Sequence, residues 1–309
     1  MKNKKLNIAK IRKRDEIYTQ LQDIGREMQH YESHFKDKVI YCNCDDPRHS
    51  NFFQYFFQNF ERLGLKRLIA TCYKNQNPDI LDQDKEIEKA PYVKYTGEIY
   101  INYLDGNGDF RSSECIELLK TADIVITNPP FSLFRDFLAQ LIKYDKKFLI
   151  VGNKNAITYK KVFPLLKNGE IWLGVEKLNE FVIPSSYPIM TKSYREEGGI
   201  RIVKVDAIKW FTNLSHSKRN KELILTKKYT PDEFPRYDNY DAIEVSKVKN
   251  IPYDYDGYMG VPITFMEKYN PNQFEIIGQS RILLDGKFGR DFKLNGKYPY
   301  MRIVIKHKN

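Results

Sequence analysis

Four consecutive residues, Asn128-Pro129-Pro130-Phe131, combine two hydrogen-bond acceptors with an aromatic ring. The side-chain oxygen of Asn128 and the backbone carbonyl of Pro129 can each accept one proton of an amine conjugated to an aromatic ring. Such an amine is a poor nucleophile because its lone pair is delocalised, and two acceptors expose that lone pair without a strong base. Phe131 can stack on the ring that carries the amine, an interaction worth roughly 1–3 kcal/mol. The tetrapeptide therefore predicts a site that activates a flat aromatic amine for methylation.

The backbone around these residues is restricted by its own composition. Asn128 precedes a proline and is held extended, while both prolines have a fixed φ and no N–H that would compete for acceptors. The alternative interpretation is that Asn-Pro-Pro simply ends a strand. The tetrapeptide follows the apolar run Ile124-Val125-Ile126, at the carboxyl end of a predicted strand, where open α/β sheets bind ligands. We therefore favour the functional interpretation.

At the end of a buried strand this tetrapeptide resembles the catalytic motif of S-adenosylmethionine-dependent methyltransferases that act on adenine N6. Three further segments resemble the EcoRI-type adenine-specific DNA methyltransferases, and the similarity covers most of residues 35 to 309. The three segments are Tyr41-Cys42-Asn43-Cys44-Asp45-Asp46-Pro47, Trp210-Phe211-Thr212-Asn213-Leu214 and Gly260-Val261-Pro262-Ile263-Thr264-Phe265. The resemblance implies S-adenosylmethionine as methyl donor and an adenine flipped out of double-stranded DNA as substrate. It also implies Asn128, Pro129, Pro130 and Phe131 as catalytic residues, no metal ion, and the possibility of a cognate restriction endonuclease.

The methyl donor needs a site at the strand ends beside the tetrapeptide. In related enzymes a glycine-rich loop follows the first strand, whereas residues 42 to 50 contain no glycine. S-adenosylmethionine carries a carboxylate and an ammonium rather than a pyrophosphate, so close backbone approach is not essential. Asp45 or Asp46 can pair with the ammonium, and the helix that starts after Ser50 can receive the carboxylate at its N-terminus. Asn43 ends the predicted strand before this loop and is included among the cofactor residues.

A second candidate cofactor segment is Asp105-Gly106-Asn107-Gly108-Asp109-Phe110. By resemblance to methyltransferases with an Asp-Phe pair at this place, Asp109 accepts a hydrogen bond from the adenine amine of the donor. Phe110 then packs against that adenine ring. The alternative is an ordinary turn rich in Asp, Gly and Asn. The second strand ends in Thr71-Cys72-Tyr73 without an acid, so the ribose contact is unassigned. Asn128 completes the set of predicted cofactor residues.

Alternation of apolar strands and amphipathic helices predicts an α/β fold, with a doubly wound and mostly parallel seven-stranded sheet. The predicted strands are residues 39–43, 68–72, 99–103, 124–127, 148–151, 171–174 and 202–210. The predicted helices are residues 10–31, 113–120, 133–144 and one that Ser50 caps and Gly64 ends. The phenylalanines of that capped helix have helical spacing and are predicted to be core residues.

The formal charge is +11, from 51 Lys and Arg against 40 Asp and Glu, and this favours a polyanionic partner. Residues 1 to 14 hold seven basic residues and no acid, and residues 281 to 309 hold eight against two. A solvated basic tail is the alternative for the first segment. The stretch from Arg281 to Arg302 interleaves basic and aromatic residues, which suits contacts with phosphates and bases. The candidate DNA-binding residues are Lys218, Arg219, Arg281, Lys287, Arg290 and Lys293.

Three regions are predicted: a basic N-terminal segment with a helix (1–31), a catalytic domain that binds S-adenosylmethionine (32–214) and a smaller target-recognition region (215–309). An ordinary loop-rich subdomain is the alternative for the last region. The four cysteines form no C-x-x-C pair and have no His at ligand spacing, which argues against a zinc site. The sequence has neither an apolar run of about 18 residues nor a signal core. We expect a cytoplasmic protein that does not bind membranes, and a monomer is favoured.

Two other functions stay open from the sequence. A methyltransferase that acts on a base amine of ribosomal RNA can use the same tetrapeptide. A nucleic-acid-binding relative that has lost catalysis is conceivable because the glycine loop is missing. Methylation of a protein glutamine is disfavoured, because enzymes with that activity usually have Tyr as the fourth residue of the motif.

Overall fold

The computed structural model describes residues 18–73, 89–183, 194–284 and 291–308. The chain divides into two compact units. The first contains the described residues up to Ala156 together with Gly174–Leu214, and the second contains Ile157–Leu173 and the chain from Ser215 onward. Within the described ranges, no helix has the length and apolar character that crossing a bilayer requires.

Most of the regular elements are short in both units. The strands are β1 (Tyr18–Thr19), β2 (Val39–Cys42), β3 (Arg67–Thr71), β4 (Pro91–Tyr95), β5 (Ile99–Tyr103), β6 (Ile124–Thr127), β7 (Lys147–Asn153), β8 (Trp172–Leu173), β9 (Leu178–Ile183), β10 (Tyr194–Glu197), β11 (Ile200–Thr212), β12 (Ile243–Glu244), β13 (Met259–Pro262), β14 (Phe274–Gln279) and β15 (Arg302–His307). The α-helices are α1 (Leu21–Met28), α2 (Asn51–Gln58), α3 (Phe60–Leu63), α4 (Ser113–Thr121), α5 (Phe134–Lys143), α6 (Phe163–Lys167) and α7 (Ser280–Leu283). The 3₁₀ turns include Gln29–His34, Phe131–Leu133 and Ser217–Asn220.

The centre of the first unit is a group of four parallel strands in the order β3, β2, β6, β7. All four residues of β2 and all four of β6 are buried. Ile40 of β2 lies opposite Leu68 of β3 on one side and opposite Ile124 of β6 on the other. Strands that are buried on both faces read as continuous apolar runs, as these do, because helices cover a parallel sheet on both sides. The predicted α/β class is confirmed.

The sheet extends further than the seven strands predicted. Among the described residues its hydrogen-bonded path runs through nine strands, in the order β1-β9-β11-β7-β6-β2-β3-β4-β5, and β10 pairs with β11. The strand at Ile99–Tyr103 is not a third parallel strand, because it forms an antiparallel hairpin with the unpredicted β4. Only Thr96, Gly97 and Glu98 join the two strands, and a parallel crossover needs a dozen residues or more.

The N-terminal helix is shorter than predicted. Residues 10 to 17 lie outside the described ranges, and Tyr18–Thr19 is extended and pairs with Val182 and Phe181 of β9. The α-helix begins only at Leu21, and a 3₁₀ turn follows it.

The helix after β2 is capped as predicted. The Ser50 hydroxyl accepts hydrogen bonds from the backbone N–H groups of Phe52 and Phe53, and Gly64 ends the segment with a φ of 62°. The helix is interrupted at Asn59 into α2 and α3. Phe52, Phe53, Phe56, Phe60 and Leu63 are buried as predicted, whereas Phe57 is 38% exposed.

The second unit is built on a small mixed sheet in the order β12-β13-β15-β14. The strands β12 and β13 are parallel and the other pairs are antiparallel. Its buried residues include Phe265, Phe274 and Ile303. The predicted strand at residues 171–174 is reduced to Trp172–Leu173, which belongs to this unit.

Candidate active site

The tetrapeptide lies directly after β6, a central strand of the parallel sheet. Pro129 is buried, and Asn128, Pro130 and Phe131 are half-buried. The carbonyl of Pro130 accepts a hydrogen bond from the backbone N–H of Leu133 at 2.9 Å, which closes the turn from which α5 starts. Phe131 packs in part against the core of the unit. The turn is therefore a fixed structure at the carboxyl edge of the sheet, with the carbonyl of Pro130 used inside it.

The side-chain oxygen Oδ1 of Asn128 is buried and is not exposed to solvent. Its backbone N–H donates a hydrogen bond to the carboxylate of Asp45. The main chain of Asn128 is thus held in position beside the loop after β2.

The loop after β2 is fastened to both neighbouring strands at their carboxyl ends. The backbone N–H of Cys44 donates to the hydroxyl of Thr127 at 3.2 Å, and Thr127 is the last residue of β6. The backbone N–H of Asp45 donates to the carbonyl of Thr71 at 3.2 Å, and Thr71 is the last residue of β3. Asn43, which precedes Cys44, is buried, with 2% of its surface exposed. The predicted cofactor loop and the tetrapeptide are therefore neighbours.

Asp45 connects these two segments through its carboxylate. The hydroxyls of Thr127 and Ser50 donate to it, as does the backbone N–H of Asn128. Desolvation raises the pKa of Asp45 to about 6, although these hydrogen bonds oppose that effect. Thr127 was not among the predicted site residues, and 82 positions separate it from Asp45. Its only signal in the sequence is its place immediately before Asn128.

Asp46 is engaged differently, although it is the next residue. Its carboxylate accepts from Nη2 of Arg48 at 2.7 Å and from Nε at 3.0 Å. Burial alone would raise the pKa of Asp46, but the hydrogen bonds and charge of Arg48 outweigh it and leave the pKa below its ordinary value. Of the two acids between which the sequence left the choice open, Asp45 is thus the one without a basic side chain bonded to its carboxylate among the described residues.

The N-terminus of α2 is already partly occupied. The hydroxyl of Ser50 accepts from the N–H of Phe52 at 3.1 Å and from that of Phe53 at 3.2 Å. A carboxylate at this helix end would compete with the cap for these two donors. The expected use of the helix N-terminus for the carboxylate of the cofactor is therefore not favoured by the geometry.

The loop that carries Asp109 and Phe110 lies against the end of β3. Gly108 has a φ of +74°, and a Cβ on it would lie 2.0 Å from the carbonyl oxygen of Cys72, so glycine is required there. The carboxylate of Asp109 accepts from Arg111 Nη2 at 2.7 Å and from Nε at 2.9 Å, and these bonds hold the pKa of Asp109 below its ordinary value.

Phe110 is only 5% exposed and packs edge-on against Phe137 of α5 with 5.0 Å between ring centroids. Its carbonyl accepts from Gln140 Nε2 at 2.9 Å. The predicted contact of Phe110 with an adenine ring therefore uses what remains accessible of a largely buried side chain. The predicted hydrogen bond from the adenine amine would share the carboxylate of Asp109 with Arg111.

The candidate DNA-binding residues of the second unit differ in their surroundings. The guanidinium of Arg219 lies 3.5 Å from the ring centroid of Trp172, and it donates to the carbonyl of Gly169 at 3.2 Å. Arg219 thus supports the unit itself, and burial lowers its pKa. Lys218 is exposed and Lys293 is half-buried, while Arg281 pairs with Asp291 at 3.0 Å. Lys287 and Arg290 lie outside the described residues.

No group of three or more His, Cys, Asp and Glu residues within the described ranges is arranged to hold a metal ion. Cys42, Cys44, Cys72 and Cys115 form no disulfide bond with one another. Burial raises the pKa of the thiols of Cys42 and Cys44 well above the ordinary value.

Residues 5–308 match the model of a family described as adenine-specific methyltransferase EcoRI. The chain belongs to this EcoRI methyltransferase family. It is 51% identical to the Type II methyltransferase M.EcoRI of Escherichia coli, over 99% of this chain and 97% of the relative. It is 38% identical to the Type II methyltransferase M.MpnI of Mycoplasma pneumoniae, over 98% of both chains. It is also 38% identical to M.MgeORF184P of Mycoplasma genitalium, over 97% of this chain and 98% of the relative. No solved structure matches the chain.

Membership of the EcoRI family confirms the principal prediction from the sequence. The protein is an adenine-specific DNA methyltransferase, and a methyl donor is part of its reaction. The tetrapeptide and the three segments at residues 41–47, 210–214 and 260–265 pointed to this family. In the structure, the segment at residues 41–47 contains Asp45. The segment at residues 210–214 contains the last three residues of β11, the strand next to β7.

Proposed function

We propose that this protein binds S-adenosylmethionine at the carboxyl ends of β2, β3 and β6 and methylates N6 of an adenine flipped out of duplex DNA at a specific sequence. The observation that carries the proposal is the hydrogen-bonded link from Asp45 to Thr127 and Asn128. It places the acidic loop after β2 beside the tetrapeptide after β6.

This link lies at a topological switch point. From β2 the chain proceeds to β3 on one side, whereas β6 and then β7 lie on the other side of β2. The connections therefore leave the sheet in opposite directions between β2 and β6. Open α/β sheets bind ligands in the crevice that this reversal creates.

The residues present fit the chemistry of S-adenosylmethionine. The donor supplies a methyl group on a sulfonium, and its methionine part ends in an ammonium and a carboxylate. The enclosed carboxylate of Asp45 is suited to the ammonium. Asp109 and Phe110 lie against the end of β3 through Gly108 and are suited to the adenine part.

The chain activates the target amine by accepting its protons. Oδ1 of Asn128 and the carbonyl of Pro129 each hold one proton of N6 and direct the lone pair out of conjugation. Phe131, which is half-buried beside them, stacks on the base. Because the target lies inside the duplex, flipping it out costs a few kcal/mol, and the stacking and hydrogen bonds offset part of that cost.

The protein acts on DNA as a monomer in this proposal, and its excess of positive charge favours binding to the phosphate backbone. The partner is a restriction endonuclease that recognises the same sequence, and methylation protects the DNA against its cleavage.

The proposal is tested by incubating the protein with S-adenosylmethionine and either duplex DNA or ribosomal RNA, and then mapping modified bases by sequencing. The expected result is N6-methyladenine in DNA, at one recurring sequence and at one position within it. Preferential methylation of the RNA would replace the DNA proposal. Calorimetry with the methyl donor alone distinguishes the proposed enzyme from a relative that has lost catalysis, which would give no heat of binding.

A further inference from the structure

Asn153 is the last residue of β7, the strand next to β6 in the sheet. Its side-chain oxygen Oδ1 accepts a hydrogen bond from the backbone N–H of Asn155 at 2.9 Å, which orients the amide in a turn at the strand end. The side chain is half-buried, and its nitrogen Nδ2 has no hydrogen-bond partner among the described residues. The end of β7 therefore carries an oriented amide donor that the described part of the chain does not use.

The end of β7 lies beside the tetrapeptide, within the first unit. The strands β6 and β7 are parallel with Thr127 opposite Ile150, so the extension of β7 to Asn153 runs past the end of β6. The start of α5 packs against this extension, because a Cβ on Gly152 would be 2.4 Å from the ring of Phe134. Glycine thus permits a close approach between β7 and the chain that leaves the tetrapeptide.

Asn153 and Asn128 lie on the same face of the sheet. Alternate residues of a strand face the same side, and Ile126 and Val151 both pack in one core cluster of the first unit. Asn128 follows Ile126 by two positions and is held extended by the proline after it. Asn153 likewise follows Val151 by two positions. The ladder with β11 gives the same face, because Asn153 lies opposite Ile208, which belongs to that cluster.

The register also sets the separation of the two side chains. Ile126 lies opposite Leu149, so the register continued by two positions puts Asn128 beside Val151. Asn153 is then a diagonal neighbour of Asn128. Diagonal neighbours on adjacent strands are about 7–8 Å apart, and a purine ring held between two such side chains can contact both.

The side of the site on which Asn153 lies is the side that the target base occupies. The proposed cofactor site lies toward β2 and β3, whereas β7 is on the opposite side of β6. Because the amine nitrogen must face the methyl donor, the ring of the base lies toward β7. In adenine the amine N6 is flanked by the ring nitrogens N1 and N7, both of which accept hydrogen bonds. An amide nitrogen can only donate, so Asn153 is complementary to either of them.

We propose that Asn153 binds the target adenine, with its side-chain nitrogen donating a hydrogen bond to a ring nitrogen beside the amine. This inference rests on the proposed function, because it adds a residue to the same adenine site. The two acceptors, Asn128 and Pro129, hold only the amine. A third hydrogen bond, to the ring itself, fixes the orientation of the base about that amine.

The test is single-turnover methylation by the full-length protein of a duplex that contains its recognised sequence. The target position carries adenine, 7-deazaadenine or 1-deazaadenine, and each analogue keeps the amine and replaces one ring nitrogen by C–H. The unchanged protein should methylate one analogue about three- to tenfold more slowly than adenine, as expected for the loss of one hydrogen bond. The analogue that is affected identifies N7 or N1 as the acceptor.

Two variants separate this contact from a structural role of Asn153. Asn153→Asp keeps the oxygen that accepts from Asn155 and removes the donor, whereas Asn153→Ala removes both. In both variants the preference for adenine over that analogue should shrink by the same factor, while S-adenosylmethionine still binds. The control Asn102→Ala, at an exposed position of β5, should keep the preference of the unchanged protein.

The outcomes distinguish this inference from the proposed function. An unchanged preference in Asn153→Asp would overturn the inference and leave the proposed function standing, because the residue would then serve only the turn at the strand end. Equal methylation of adenine and both analogues by the unchanged protein would overturn it as well. Absence of adenine methylation in duplex DNA by the unchanged protein would overturn both.

Discussion

At the scale of single residues, the site depends on a small set of hydrogen bonds around Asp45. The hydroxyl of Thr127 accepts from the backbone of Cys44 and donates to Asp45, so one side chain joins both segments. The same carboxylate accepts the N–H of Asn128. A change in the charge of Asp45 therefore acts on both the loop after β2 and the tetrapeptide after β6.

The first prediction concerns Asn128. Replacing it by Ala should lower the rate of methyl transfer at least a hundredfold, because the acceptor that it removes corresponds to a transition-state interaction worth about 2.7–4 kcal/mol. Binding of S-adenosylmethionine and of DNA should persist. Single-turnover methylation measures the rate, and Asn102→Ala, at an exposed position of β5, serves as the control. Near-normal turnover of the Asn128 variant would exclude the proposed role.

The second prediction concerns the pH dependence of cofactor binding. Below pH 6 the carboxyl of Asp45 is increasingly protonated, since its pKa is raised to about 6, and a neutral acid pairs poorly with an ammonium. Affinity for S-adenosylmethionine should therefore fall as the pH is lowered from 7 to 5. Calorimetry across this range measures it. Asp45→Asn should bind weakly and show no such dependence, and an equally steep dependence in that variant would assign the effect to another group.

The same shift has an opposite consequence for stability. The pKa of Asp45 lies above its ordinary 3.8, so between these values the folded state binds more protons than the unfolded state. The contribution of this group to the free energy of unfolding therefore decreases as the pH rises through about 6. Without cofactor, Asp45→Asn should raise the unfolding midpoint at pH 8 more than at pH 4.

At the scale of elements, local patterns were predictable and long-range pairing was not. The cap at Ser50, the end at Gly64 and the buried strand before Asn128 each depend on neighbouring residues, and the structure has all three. The apolar run at Ile99–Tyr103 predicted a strand correctly, but it carried no information about its partner. Because its partner is the adjacent β4, the strand is antiparallel, lies at the edge and is exposed along its length.

The candidate site was predictable to a similar degree. The tetrapeptide and its place at a strand end could be read from the chain. The hydrogen bond between Asp45 and Thr127 could not, since it depends on β2 and β6 being neighbours although β3 to β5 separate them in sequence. The pairing of Arg219 with Trp172 was also hidden, because a basic residue in a basic segment gives no signal of a structural role.

A third prediction belongs to the small sheet of the second unit. The guanidinium of Arg302 on β15 bonds the carboxylate of Glu244 on β12 at 2.6 Å, and Tyr237 donates to the same carboxylate. Both side chains of the ion pair are largely buried, with 11% and 7% exposed. Arg302→Met leaves a buried carboxylate without its countercharge and should destabilise this unit by about 3–5 kcal/mol.

Denaturant unfolding followed by a probe in the second unit measures this destabilisation. Arg236→Met is the matched control, because its ion pair with Asp241 is exposed and pairs of that kind contribute about 0–1 kcal/mol. The double variant Arg302→Met with Glu244→Leu should recover much of the stability. Equal effects of the Arg302 and Arg236 variants would contradict the argument.

At the scale of the whole molecule, the excess of positive charge is the property that bears on DNA. The seven basic residues at positions 1 to 14 lie outside the described residues, as do Lys287 and Arg290. Arg281 has an internal partner in Asp291 and Arg219 has one in Trp172. The net charge therefore overstates how many cations of the second unit are available to phosphates.

The fourth prediction separates these groups by their salt dependence. If residues 2 to 14 neutralise phosphates, deleting them should make the slope of log affinity against log salt shallower, by about 0.9 for each phosphate that is no longer neutralised. Substituting Arg281, Lys287, Arg290 and Lys293 by Gln should also change discrimination between DNA sequences, because aromatic and polar residues are interleaved there. Lys66→Gln, at an exposed position of the first unit, is the control. Unchanged slopes in both variants would place the DNA-binding surface elsewhere.

The first unit contains a late segment, Gly174–Leu214, that follows a part of the chain belonging to the second unit. After Ala156 the chain contributes Ile157–Leu173 to the second unit before Gly174–Leu214 returns to the first. Those returning residues cover β7, through the pairing of Trp210 with Val151, and hold β1, through the pairing of Phe181 with Thr19. During synthesis on the ribosome, β7 therefore emerges with an apolar edge that no strand covers for some 50 further residues, or several seconds of translation. Unpaired apolar edges favour association between nascent chains. Slow translation past Asn153 prolongs this exposure, and a chaperone that holds the nascent chain over that interval should raise the yield of folded enzyme.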